Sequence, residues 1–133
     1  MANTDRVGKQ LELPNLARGK GMALLYRFFE GQMEPGTMLG DIVIEPGAYA
    51  GYHRHEGHQS ILYVLSGNAE CYQGGERFVL ATGDAVLSKP GQAHAVRNIG
   101  DDDLRLLEFN AAVQGMNRDH NVLPLPDDIA DWD

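Results

Sequence analysis

Short extended runs, set apart by glycine and proline, fill the chain from Met22 to Asn110 and leave little room for helix. They are Met22–Glu30, Thr37–Glu45, Ala48–His53, Gln59–Leu65, Ala69–Gln73, Arg77–Leu80, Ala85–Ser88, Ala93–Asn98 and Leu104–Asn110. Runs this short and this often interrupted predict an all-β sandwich or barrel. Gly74-Gly75 predicts a hairpin, because glycine accepts the positive φ that a tight hairpin turn requires. Glu45-Pro46-Gly47 and Lys89-Pro90-Gly91 predict turns that lead into two histidine-bearing segments. A short helical turn is expected only near Pro126–Trp132.

At 133 residues the chain is expected to build one domain. Residues 1–20 read as an N-terminal arm that docks as a strand or stays mobile, 21–112 as the barrel, and 113–133 as an acidic C-terminal tail. The net charge of −8 argues against binding a phosphate backbone, so no nucleic-acid partner is expected. No apolar run approaches a membrane span, and the first residues lack the apolar stretch of a secretory signal. With a single cysteine, Cys71, an internal disulfide is impossible, and the expected location is the cytoplasm.

The chemistry lies in the histidines. The first segment is Gly47, five residues, then His53-Arg54-His55, closed by Gly67; the second is Gly83, seven residues, then Gly91-Gln92-Ala93-His94 and Asn98. Side chains at i and i+2 of a strand share a face, so His53 and His55 can grip one ion together. With His94 from a later strand they make a ligand set for one divalent transition metal: Fe, Mn, Zn or Ni. Neutral imidazole is the binding form, so occupancy should fall as pH drops through the histidine range.

These two segments resemble the motifs of the cupin superfamily in order and spacing, over roughly Thr37 to Asn110. The resemblance implies a double-stranded β-helix, the cupin jelly-roll barrel, with two histidines and a glutamate from the first motif and a histidine from the second. The glutamate is missing here. Counting back from Gly67 puts Ser60 in its place; the shorter spacing from His55 puts Gln59 there. Lys89 also stands where the family usually has proline. Gln59 is the expected fourth contact, direct or through water. His58 is expected in solvent or as a hydrogen-bond donor behind the ligands rather than as a ligand itself.

Three neutral ligands leave the charge of a divalent ion uncompensated and coordination positions open, a centre suited to an anionic bidentate ligand. Within the family this resembles the three-histidine branch with its dioxygenases. The expected function is therefore an enzyme acting on a small oxygenated organic molecule, dioxygenase first, with isomerase, cyclase or lyase chemistry close behind. The alternative is a non-catalytic cupin module that binds a small sugar, a carboxylate or a metal. Glu108 is a candidate general base if it points inwards, although a surface place beside Arg105 is the favoured reading. His58, Ser60, Tyr52 and Gln73 are candidates for the substrate pocket, and Tyr26, Arg27 and Tyr49 for further contacts. If Ser60 faces the barrel, so do Leu62 and Val64. Ile61, Tyr63 and Leu65 then make an apolar outer face, which predicts cover from a second subunit, a homodimer, or from the N-terminal arm.

Overall fold

The computed structural model describes residues 9–13, 20–29, 31–113 and 121–124, with the side chains of 9–13, 55–56 and 121–124 outside the description. Among these residues eleven strands form two antiparallel sheets: β1 Lys9–Leu13, β2 Ala23–Phe28, β3 Met38–Ile44, β4 Tyr49–Glu56, β5 His58–Ser66, β6 Asn68–Gln73, β7 Glu76–Ala81, β8 Ala85–Ser88, β9 Ala93–Asn98, β10 Leu104–Ala112 and β11 Asn121–Pro124. One sheet runs β1-β2-β3-β10-β5-β8 and the other β11-β4-β9-β6-β7. This is the expected double-stranded β-helix. The helical turn expected near Pro126–Trp132 lies outside the described residues. Among them, no helix is long and apolar enough to cross a membrane.

The core lies between the sheets, and its chemistry is divided. The first sheet contributes bulk through Leu25, Ile42, Ile44, Leu62, Val64, Leu104 and Leu106, while the second offers mainly small groups such as Ala50, Ala69, Cys71 and Val96. Large residues meeting small ones let two inner faces interdigitate at close range. Period-two alternation is plain in β5, where His58, Ser60, Leu62 and Val64 are buried while Gln59, Ile61 and Tyr63 are exposed.

Turns set the register. Gly74 and Gly75 both have positive φ, 62° and 77°, and join β6 to β7 with Gln73 opposite Glu76, the two-residue hairpin expected there. Asn98 closes another corner: its Nδ2 donates to Ile44 O and Asp102 O, both at 2.8 Å, and its Oδ1 accepts from Gly100 N at 2.8 Å. Because β3 and β9 belong to different sheets, this buried side chain ties the sheets together at one end.

Candidate metal centre

β4 and β9 pair antiparallel, with His53 directly opposite His94. The register slips between Ala50 and His53, so that Gly51 and Tyr52 share the space opposite Ala95. Such a bulge re-aims the side chains that follow it. Here it keeps Ala50 and His53 on the same face as Val96 and His94, between the sheets. Tyr52 goes to the other face, where its ring meets Tyr72 edge-on at 5.3 Å; the expected place of Tyr52 in the pocket is corrected accordingly.

The hydrogen bonds around the two imidazoles determine which nitrogens carry protons. His53 Nδ1 donates to Gly51 O at 2.6 Å, which leaves His53 Nε2 with a lone pair. Gln73 Nε2 donates to Leu87 O at 3.0 Å, so its Oε1 is the end that accepts from the Ser88 hydroxyl at 2.7 Å. Having spent its only proton, Ser88 Oγ must accept from His94 Nδ1, also 2.7 Å away. His94 Nε2 is then unprotonated as well. The two unprotonated nitrogens stand 3.0 Å apart with the ring planes at 77°.

Two lone pairs at that distance repel unless a cation lies between them. A shared proton would make one ring cationic, which burial opposes: it lowers the pKa of both, and the proximity of His53 lowers His94 further. A metal ion suits the arrangement. Two nitrogens each about 2.1 Å from one ion and at a right angle to it would stand about 3.0 Å apart. The donor set therefore fits a metal. Among the described residues no group of three or more His, Cys, Asp or Glu side chains converges in this way. The side chain of His55, the expected third ligand, lies outside the described residues; its backbone is in β4, opposite Val122.

The inner face of β5 overturns one expectation and narrows another. Gln59 is exposed on the outer face, so the contact with the ion expected of it is not made, whereas Ser60 is buried. His58 is fully buried, which removes the solvent half of its expectation and leaves the place behind the ligands. Glycine at 57, with φ of 81°, turns β4 into β5 and puts His58 and Ser60, not Gln59, on the core side. Gln73 is near the site but in a different role from the one expected, since both ends of its amide are engaged in orienting His94.

Glu108 corrects a further expectation. It is buried on the inner face of β10 in step with Leu104 and Leu106, while Arg105 turns outwards to Asp41 at 2.9 Å. Burial pushes the Glu108 carboxyl up to about 7, against the opposing pull of Arg27 and Asn110. Arg27 follows Ala23 and Leu25 on the inner face of β2 and sits opposite Gly40, which is in turn opposite Glu108. Sequence reasoning missed Asn110 and Ser88, both buried polar residues at inward positions of their strands. The signal was available in β10, where Asn110 continues the alternation of Leu104, Leu106 and Glu108. Cys71 is a core filler whose thiol is pushed up to about 12 by burial, which leaves it inert.

Fold and histidine pair together define the class. Residues 40–110 of the 133 match the sequence model of the cupin domain, and the chain belongs to the cupin family. Its relatives include an oxalate-binding protein of Thermotoga maritima, 27% identical over 97 residues, or 71% of this chain and 80% of that protein. The pectin degradation protein KdgF of Dickeya dadantii is 31% identical over 64 residues, 48% of this chain and 58% of that protein. The crystal structure of a predicted oxalate decarboxylase from Thermotoga maritima has the same fold, with a TM-score of 0.73 at 23% identity over 85% of this chain and 99% of that one.

Proposed function

We propose that this cupin holds one divalent transition metal ion, Fe, Mn, Zn or Ni, between His53, His55 and His94, and binds a small carboxylate beside it. The observation that carries the reading is the pair of unprotonated Nε2 atoms 3.0 Å apart, each left without a proton by a hydrogen bond on the far side of its ring. A bound ion would supply Lewis acidity and a seat for an anionic oxygen. The protein's own residues supply the rest. Arg27 brings positive charge to the inner face of the first sheet, and its influence reaches Glu108. Glu108, titrating near neutrality, is able to hold a proton or accept one from a bound ligand. The oxalate-binding relative supports a carboxylate ligand, and binding followed by Lewis-acid chemistry on that ligand is the reading preferred here. The dioxygenase expected from the three-histidine pattern gains no support from these relatives and ranks behind it. The same reading has the protein working in the cytoplasm as a homodimer.

The test is elemental analysis of protein purified without added metal, followed by calorimetric titration with oxalate and malonate. One equivalent of a transition metal and a carboxylate affinity lost after chelation are expected. Metal-free protein that takes up no added ion, or carboxylate binding indifferent to the metal, would overturn the proposal.

A further inference from the structure

Across the inner face of the first sheet runs a row of three buried polar residues. Ser88 of β8 is opposite Ser60 of β5, and Ser60 is opposite Asn110 of β10. Ser88 is 2% exposed, Ser60 1% and Asn110 0%. Residues directly opposite on paired strands have their Cβ atoms about 5 Å apart, so the row is continuous. At one end Ser88 is occupied, bonded to His94 and Gln73. The other two are not: Ser60 Oγ and both amide atoms of Asn110 lack a hydrogen-bond partner among the described residues. The Asn110 amide is near enough to Glu108 to favour its charged form, without completing a hydrogen bond of ordinary geometry.

Three polar atoms without a full hydrogen bond within a core are costly, because each has given up water without a bond of ordinary geometry in return. The row begins at the side chain that orients a metal-facing histidine, so the orphaned atoms lie one and two strands from the candidate centre. Their chemistry is specific. An amide offers two N–H donors and one carbonyl acceptor, and a serine hydroxyl both donates and accepts. A plain dicarboxylate dianion such as oxalate has acceptors only, and would leave Asn110 Oδ1 orphaned. A ligand hydroxyl both donates and accepts, and would satisfy the amide oxygen as well as the amide nitrogen or Ser60. Arg27, two strands beyond β10, suits a carboxylate.

We infer that the ligand of this site is a hydroxy acid, a carboxylate bearing at least one hydroxyl, with Asn110 and Ser60 reading the hydroxyl and Arg27 drawing the carboxylate. The inference rests on the carboxylate-binding reading above and narrows its substrate class. It also makes Asn110 a specificity residue rather than a structural one.

Malonate and tartronate differ by a single hydroxyl and provide the test. Both are titrated calorimetrically into the protein as isolated, with its metal content measured, and into Asn110→Leu and Asn110→Ala. Tartronate should bind at least about tenfold more tightly than malonate to the unaltered protein, since a site built to bond a hydroxyl discriminates against its absence. In either variant that preference should shrink at least about fivefold while malonate affinity holds, because only the hydroxyl loses its partner. Asn110→Leu should melt no lower than the parent, since an apolar group replaces an unsatisfied one. Ser60→Ala, the smallest change, should also reduce the preference. Equal binding of the two acids would overturn the hydroxy-acid inference and leave the carboxylate reading standing. An undiminished tartronate preference in the Asn110 variants would place the discrimination elsewhere, at the metal for example, and overturn the role of Asn110. Binding of neither acid would bring down the carboxylate reading and this inference with it.

Discussion

His94 depends on neighbours that touch no ligand. Ser88 Oγ, 2.7 Å from His94 Nδ1, is held by Gln73 Oε1, and the opposite end of that amide is fastened to the backbone at Leu87. The chain of bonds leaves His94 one neutral tautomer and one ring orientation. Ser88→Ala should therefore weaken metal affinity about 10- to 100-fold, measured by competition against a chelator, with the fold intact by circular dichroism. Unchanged affinity would mean that packing alone orients the ring. Glu108 makes a second prediction, this one about pH. Its pKa in the folded protein is about 7, above the ordinary 4.5, so the folded state holds a proton that the unfolded state releases. The sign follows: stability from this group is complete below pH 4.5 and is lost as pH rises towards 7. At 1.36 kcal/mol per unit the loss is about 3 kcal/mol. Glu108→Gln cannot titrate, so chemical denaturation across pH 5 to 8 should show the parent losing stability relative to the variant by that order. Parallel profiles would contradict the burial argument.

At the scale of the strand, much was legible and the errors have one cause. The alternation that predicts Ser60, Leu62 and Val64 inside and Ile61 and Tyr63 outside is the alternation observed. Gly74-Gly75 forms its hairpin, and the extended runs largely become β2 to β10. What failed was a choice of face. In a strand a one-residue difference in register reverses every side chain, so preferring Gln59 over Ser60 put the expected contact on the wrong side of the sheet. For Glu108 the pattern Leu104, Leu106, Glu108 already implied an inward carboxylate, but composition alone does not show that Arg27 opposes it from β2 or that Asn110 lies beside it. Ser88 was invisible because its role comes from pairing with β5 and from contact with β9, which local pattern does not encode. Asn98, which ends the second histidine segment, makes three side-chain bonds that close a corner between the sheets. Asn98→Ala would strand a buried carbonyl at Ile44 and loosen the turn at 100–102. It should cost about 2 to 3 kcal/mol in denaturant unfolding; a loss within 0.5 kcal/mol would show that water substitutes for the amide.

For the molecule as a whole, the feature in need of an explanation is its outer face. Leu87 on β8, Ile61 on β5 and Phe109 on β10 stand directly opposite one another, and Tyr63 follows on the same face of β5. They are 45%, 40%, 44% and 42% exposed. An apolar row across three adjacent strands is a patch rather than a scatter, and patches of that kind on a folded protein usually mark an interface. The N-terminal arm was one candidate to cover it. Its described strand β1 pairs instead with β2, at the opposite edge of the sheet from β8. The cover proposed for it is a second copy of the chain. Two such faces packed about a two-fold axis would bury each row against its equivalent, the self-complementary arrangement of a symmetric dimer. Sedimentation equilibrium at micromolar concentration should report twice the chain mass. Ile61→Lys and Phe109→Lys should each shift the population towards monomer by about tenfold or more, because a dimer would bring each new charge close to its own symmetry mate in an apolar setting. Neither side chain faces the barrel, so metal content per chain should be unaffected in both variants. A parent protein that sediments as a monomer, or variants that dimerise as well as the parent, would mean that this face has another purpose.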